Sequence, residues 1–231
     1  MISEEPQARS LEVLSLVDLH WSGKSELQLP DLSDVDLVLL GGDLTHFRGI
    51  EHAKIIIERI EATSSQVLAI CGNCDKPEIE SYLEEKGIAL DRRARTLAGA
   101  RFVGLSAGLP FGDCPYERTE AEFSEASDEA WRQADLLEAS AVSTIFLCHQ
   151  PPRDTVCDLA RGRHVGSTAI RRSILDHEPD LVLCGHIHEA IGEASLGASR
   201  VINPGPWFTG HTLRFRIVNG HLAEIAVFNR A

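Results

Sequence analysis

Five short apolar runs, each ending in a Gly-, Asp-, Asn- or His-containing loop, constrain this chain more than any other feature. They are Leu11 to Val17, Val35 to Leu40, Val67 to Ile70, Ser143 to Cys148 and Leu181 to Cys184. Runs of four to eight apolar residues bounded by such loops read as buried strands. Several of them alternate with stretches of helical spacing, and strands alternating with helices argue an α/β architecture.

Helices are expected over residues 49–62, 76–86, 124–139 and 167–177. In the first, Ile50, Ala53, Ile57 and Ile60 fall on one stripe. In the last, Ser167 stands where an N-cap would. Shorter strands are expected at residues 88–91, 93–97, 101–105 and 200–202. The C-terminal segments 213–218 and 222–228 flank Asn219-Gly220, a strong hairpin signal. Those hairpins break a pure βαβ rhythm. A mixed sheet, or two sheets, is therefore expected rather than one parallel sheet, and residues 1–231 read as one domain, with no linker, repeat or low-complexity run. Residues 107–123 and 150–166 read as Pro- and Gly-punctuated excursions bordering the functional site.

The chain has 22 Lys plus Arg against 35 Asp plus Glu, a net charge of −13. That balance argues against duplex nucleic acid or an anionic membrane as partner, because both attract basic surfaces. No apolar run approaches the roughly 20 residues of a bilayer span. Glu4, Glu5 and Pro6 stand where a signal peptide would need a basic stretch and an apolar run. Six Cys residues with no export signal fit a reduced, cytoplasmic setting better than a disulfide framework.

The strand ends carry the chemistry. Asp18 and His20 follow the first run, Asp43 the second, Asn73 the third, His149 the fourth, and His186 with His188 the fifth. Loops at the carboxyl ends of strands converge in open α/β sheets, so these residues can face one crevice. In extended chain a spacing of two puts Asp18 and His20, or His186 and His188, on one side. Carboxylates, imidazoles and one amide suit Mn, Fe, Co, Ni or Zn rather than Ca. Seven such residues exceed the needs of one metal ion.

The ordered blocks Asp18-Leu19-His20, Gly42-Asp43, Gly72-Asn73-Cys74-Asp75, Cys148-His149 and Gly185-His186-Ile187-His188 resemble the calcineurin-like metallophosphoesterase family. The resemblance runs from about residue 11 to 208 and includes the turn Asn203-Pro204-Gly205. It implies two mixed β-sheets packed as a sandwich flanked by helices, with a dinuclear metal site at the edge. It implies two divalent ions (manganese, iron, zinc, nickel or cobalt). One takes Asp18, His20 and His188; the other takes Asn73, His149 and His186; Asp43 bridges them. Asp43, Asn73 and His149 form the implied catalytic group. A hydroxide between the metals would attack phosphorus in line, opposite the leaving oxygen, on a small phosphoester substrate.

One position departs from the family. Many members carry His where this chain has Cys74, which is assigned here to substrate binding. A thiol is a weak donor compared with an imidazole. Members resembling this variant tend to act on phosphodiesters with good leaving groups, so the resemblance favours phosphodiesterase as the subclass. The alternative is a scaffold of the same fold that has lost activity and serves protein interaction, but all seven ligand positions hold competent residues. Two other motifs do not fit their usual chemistry. Gly23-Lys24-Ser25 resembles the end of a phosphate-binding loop but has Asp18 where the first Gly belongs. Cys71 and Cys74 have redox spacing but enclose Gly72-Asn73 of the metal block.

Overall fold

The computed structural model describes residues 10–63, 65–137 and 142–229. Among these, thirteen strands and four α-helices run in this order: β1 (Ser10–Leu16), β2 (Leu37–Gly41), α1 (Ile50–Glu61), β3 (Gln66–Ile70), α2 (Pro77–Glu85), β4 (Arg93–Leu97), β5 (Ala100–Leu105), α3 (Glu120–Asp135), β6 (Thr144–Cys148), β7 (Leu159–Ala160), β8 (Arg163–His164), α4 (Thr168–His177), β9 (Leu181–Leu183), β10 (Gly192–Leu196), β11 (Ser199–Asn203), β12 (His211–Val218) and β13 (His221–Asn229). One sheet has the order β13-β12-β1-β2-β3, the other β10-β11-β9-β6-β5-β4. Both are mixed. The centres are parallel, β1 with β2 and β3, and β5 with β6, β9 and β11. Antiparallel strands close every edge except that at β3, which pairs parallel with β2.

Period-two alternation builds the layers. Leu37, Leu39, Leu68 and Ile70 point between the sheets and meet Phe102, Ile145, Leu147, Leu181 and Leu183 in one buried cluster. Their sequence neighbours point outward. Val38, Leu40, Val67 and Ala69 pack with Ala53, Ile56, Ile57 and Ile60 of α1 and with Ile79 and Leu83 of α2. Val103, Phe146 and Val182 pack with Phe123, Ala130 and Trp131 of α3 and with Ile170 and Ile174 of α4. Strands covered on both faces must be apolar on both faces, which is why the central runs are nearly continuous rather than alternating. Each fully buried aliphatic side chain contributes roughly 1.5–3 kcal/mol.

Local chemistry sets the boundaries, and some differ from expectation. The third helix begins at Glu120, not 124, because Thr119 and Glu122 form a capping box: the Glu122 N–H donates to Thr119 Oγ1 at 3.3 Å, and Thr119 N–H donates to Glu122 Oε2 at 2.7 Å. The end expected for it at 139 lies outside the described residues. Residues 88–91 form isolated bridges, Ala89 to Ala69 and Asp91 to Gly104, and no strand. The stretch 192–196, Gly-Glu-Ala-Ser-Leu, gives no apolar signal yet forms the edge strand β10 by pairing with β11. Ser167 caps α4, accepting from the Ile170 N–H at 3.1 Å. Asn219 and Gly220 both have positive φ, 51° and 84°, as a two-residue hairpin turn requires. The excursion 150–166 contains a short 3-10 turn and the small β7–β8 hairpin.

Candidate metal centre

All seven residues singled out as ligands lie beyond the carboxyl ends of β1, β2, β3, β6 and β9, where the two sheets meet at one edge. Four of them take left-handed backbone: Asp18 (φ 53°), His20 (47°), Asp43 (48°) and His186 (68°). Such conformations cost of order 1–3 kcal/mol each and persist where surrounding bonds over-determine them. The bonds are present. Asp18 N–H donates to the Gly42 carbonyl at 3.1 Å, His20 N–H to the Asp43 carbonyl at 2.9 Å, and His186 N–H to Asp18 Oδ2 at 3.0 Å.

The side chains form two adjoining groups. In one, His188 Nε2 stands 3.5 Å from Asp18 Oδ1 and 3.2 Å from His20 Nε2. In the other, His149 Nε2 stands 3.1 Å from Asn73 Oδ1. Asp43 lies between them, its Oδ2 at 3.4 Å from His20 Nε2 and 3.5 Å from His149 Nε2. Ligand atoms of Asp18, His20 and His188 fall within 4.8 Å of one another, as do those of Asp18, Asp43 and His149. His186 is set further back: its ring stacks edge-on against His149 with centroids 5.1 Å apart.

Close backbone approach makes this convergence possible. A Cβ on Gly42 (φ 93°) would stand 2.5 Å from His149 Nδ1 and 2.8 Å from Gly72 N. A Cβ on Gly72 would collide with Asp43 Oδ1. The loops are also tied to one another. Cys74 N–H donates to Asp43 Oδ1 at 2.8 Å. Asp75, fully buried, accepts from the N–H groups of Leu44, Thr45 and Gly72 at 2.8–3.0 Å. Asn203 Nδ2 donates to the Ile187 carbonyl at 3.0 Å, fixing the turn between His186 and His188.

The donor set fits divalent cations. His149 Nδ1 faces the Gly41 carbonyl at 3.0 Å; a carbonyl only accepts, so the ring donates there. That leaves Nε2 pointing at Asn73 Oδ1 and Asp43 Oδ2, both acceptors. Acceptors do not converge without positive charge between them, whether a proton on the ring or a bound cation. Burial would lower the His149 pKa, but the carboxylates of Asp43 and Asp18 push it up to about 9. Burial opposes ionisation of Asp43, yet the His149 and His20 rings hold its carboxyl well below the usual range. Burial takes His186 down to about 4 and lowers His20 as well. These neutral imidazoles present lone pairs, which suits oxygen- and nitrogen-binding divalent metals.

Cys74 faces the site rather than the core: its Sγ is 3.7 Å from Asn73 Nδ2, and its thiol joins His20 and Asp43 within 4.8 Å. Burial and the Asp43 charge raise the thiol far above its ordinary pKa, so it stays protonated. Three neighbours were not legible as site residues. His46 Nδ1 lies 3.4 Å from His20 Nδ1, although its position three residues after Asp43 offered a spacing signal. Cys114, 41 residues from Asn73, accepts from Asn73 Nδ2 at 3.1 Å. Phe208 sets its ring edge-on to His20 and His188, with centroids 5.7 and 5.0 Å away. Neither of the last two had a sequence signal. Trp207 is buried, its indole N–H donating to the Gln28 carbonyl at 2.8 Å, as a core residue.

A family model for calcineurin-like phosphoesterases matches residues 14–190. An uncharacterized protein of Methanocaldococcus jannaschii is 30% identical over 207 residues, covering 85% of this chain and 88% of its own. Two solved structures share the fold. A Thermus thermophilus protein has a TM-score of 0.68 at 17% identity, covering 95% of this chain and 98% of that one. A dimetal phosphatase of Danio rerio has a TM-score of 0.57 at 12% identity, covering 96% and 99%. With two mixed sheets, flanking helices and a matching model over most of its length, the chain belongs to the calcineurin-like phosphoesterase family.

Proposed function

We propose that this protein is a metal-dependent phosphodiesterase with two divalent ions. The observation that carries the reading is the placement of Asp43. One carboxylate oxygen is pinned by the Cys74 N–H, and the other lies 3.4 and 3.5 Å from imidazole nitrogens of two separate ligand groups. A carboxylate so placed can serve two cations at once. Asp18, His20 and His188 would hold one, and Asn73, His149 and His186 the other. When bound, such ions acidify water and neutralise phosphoryl oxygens.

The remaining work falls to the chain itself. The Gly41 carbonyl fixes the His149 ring so that Nε2 stays aimed at the site. The His186 N–H holds Asp18 in place. These bonds are in place before any substrate arrives, so orientation costs nothing at the moment of reaction.

The diester preference rests on Cys74. A monoester dianion carries one more negative oxygen than a diester, and a cationic donor beside it would favour the monoester. Position 74 offers a neutral thiol beside the Asp43 carboxylate. Among the described residues no helix is long and apolar enough to cross a membrane.

The test is hydrolysis of a chromogenic diester, monoester and carboxyl ester with Mn, Fe, Co, Ni or Zn added, by the wild type and Asp43→Asn. Metal-dependent turnover favouring the diester is expected. Higher kcat/KM on the monoester would overturn the subclass. No metal-dependent turnover of any phosphate ester would leave the scaffold reading.

A further inference from the structure

Beside His186 and His188 opens a groove of about 660 Å³. Leu109 and Phe111 form one wall, from the excursion that precedes α3. Ala160 and Val165 form the other, from the excursion after β6, and Ile187 lies between. We propose that this groove receives an apolar ester group, alkyl or aryl, of the phosphoryl substrate; this rests on the phosphoesterase reading above.

Three observations support an apolar occupant. First, the one amide side chain among the described lining residues is engaged with backbone at both its oxygen and its nitrogen. Gln150 accepts from the Leu109 N–H at 2.9 Å and donates to the Val165 carbonyl at 3.1 Å. It is buried and directly follows His149, so it braces both walls at a fixed separation next to the site. A polar ester group would lose its water there and find few partners in return, which is costly.

Second, charge is sparse. Among the described lining residues only Arg161 and Glu189 are fully charged side chains, and Glu189 accepts a hydrogen bond from the Arg161 backbone N–H. A further phosphate or carboxylate on the substrate would meet one cation and one carboxylate. Third, the walls leave large apolar side chains in water: Phe111 is 78% exposed and Val165 is 36% exposed. Exposed apolar residues gathered at one groove mark a binding surface more often than scattered ones. The groove is continuous with the candidate ligands, because His186 and His188 line its inner end. A phosphoryl group held at those imidazoles would therefore direct one of its ester groups along the groove.

The experiment is calorimetric titration of the Mn-loaded protein with two diester analogues, methyl methylphosphonate and hexyl methylphosphonate. Each methylene that leaves water tightens binding by up to about fourfold. The hexyl ester, with five more methylenes partly enclosed, should bind at least about tenfold more tightly. In Phe111→Asp and in Val165→Asp, both at exposed positions, the hexyl-to-methyl ratio should fall toward one. Equal binding of the two esters to the wild type would overturn the groove assignment and leave the phosphoesterase reading standing. A tenfold preference that survives both substitutions would also overturn it, since the chain would then lie elsewhere. Binding of neither ester would overturn both.

Discussion

The carboxylate of Asp75 accepts from the backbone N–H of Thr45 at 2.8 Å, and through that bond the loop carrying Asp43 is held to the loop carrying Asn73. Both residues are fully buried. The same carboxylate also takes the N–H of Leu44 and of Gly72, each at 3.0 Å, and the Thr45 hydroxyl at 3.0 Å. One side chain thus satisfies donors from the two loops that continue the paired strands β2 and β3.

Asp75→Asn should therefore loosen both loops. An amide keeps one acceptor oxygen and turns an N–H₂ toward donors, leaving at least one buried N–H unpaired. That costs roughly 1–3 kcal/mol. The melting temperature should drop and metal affinity should fall with it, read by thermal denaturation and by equilibrium dialysis. An unchanged melting temperature together with full metal content would show that the clamp is dispensable.

Asp43→Asn and His186→Ala should remove most activity while leaving the fold recognisable. His186 holds Asp18 through its backbone N–H, which alanine keeps. Losing partners one step outside a metal site already costs about 10–100-fold in affinity or activity, so loss of a ligand should cost at least that. Elemental analysis and kcat/KM decide it. Near-normal turnover with full metal content in either variant would remove the two-metal assignment.

Arg118 and Asp91 should govern stability in acid. Arg118 Nη1 and Nη2 reach the two Asp91 oxygens at 2.8 and 2.6 Å in a buried bidentate pair. Burial opposes ionisation of Asp91, but the Arg118 guanidinium wins and holds its carboxyl below the ordinary 3.8. A depressed folded pKa contributes stability above the unfolded value and loses it as pH falls through the folded value. The contribution should be complete at neutral pH and fade below about pH 4. Arg118→Met strands a buried carboxylate and should cost about 3–5 kcal/mol at pH 7. The deficit should shrink as acid neutralises Asp91. Urea unfolding from pH 3 to 8 measures both slopes, and a pH-independent deficit would contradict the pairing.

Glu80 should act in the opposite direction. Burial, and next the Asp91 charge, push its carboxyl up to about 7 from 4.5. Its Oε2 accepts from the Ser106 hydroxyl at 2.7 Å, while Oε1 is buried without a partner. A raised carboxyl favours the folded state while protonated and loses that advantage as pH rises from 4.5 toward 7. Glu80→Gln should stabilise the protein at pH 8 by up to about 3 kcal/mol relative to its effect at pH 4. Chemical unfolding at the two pH values checks this, and an equal effect at both would show that the carboxyl is not raised.

Cys74→His should raise monoester turnover relative to diester turnover. An imidazole can be cationic near neutral pH and would stand beside Asp43, where the thiol is held neutral. General-acid help is worth about 10²–10⁴-fold when geometry allows. The ratio of kcat/KM values on matched aryl and alkyl mono- and diesters reports it. An unchanged ratio in a folded, metal-loaded variant would show that position 74 does not face the ester.

The amino-acid order alone marked the central strands and the seven ligand candidates. Buried parallel strands need runs such as Leu37–Gly41, and polar residues directly after such runs are conspicuous. The edges were less legible. β10 is half-exposed and carries Gly192, Glu193, Ala194 and Ser195 before its single buried Leu196, so pairing with β11 makes it a strand, not its own pattern. The first turn of α3 lay hidden in the 107–123 excursion because its cap, Thr119 with Glu122, precedes the first buried apolar residue, Phe123. The partners of the site were hidden for a different reason. Cys114 and Phe208 reach Asn73, His20 and His188 across long separations, and no local pattern encodes such meetings.

The sequence by itself determined which residues could bind metal and that they end buried strands, since both follow from local chemistry and period. Only the tertiary structure decided that Asp43 stands between two imidazole groups, that Asp75 ties their loops together and that an apolar groove braced by Gln150 opens at His186 and His188. Those relationships depend on how two sheets stack and which loop backbones come close enough to share a hydrogen bond. Such distances are set by packing of the whole core, and no single segment carries them.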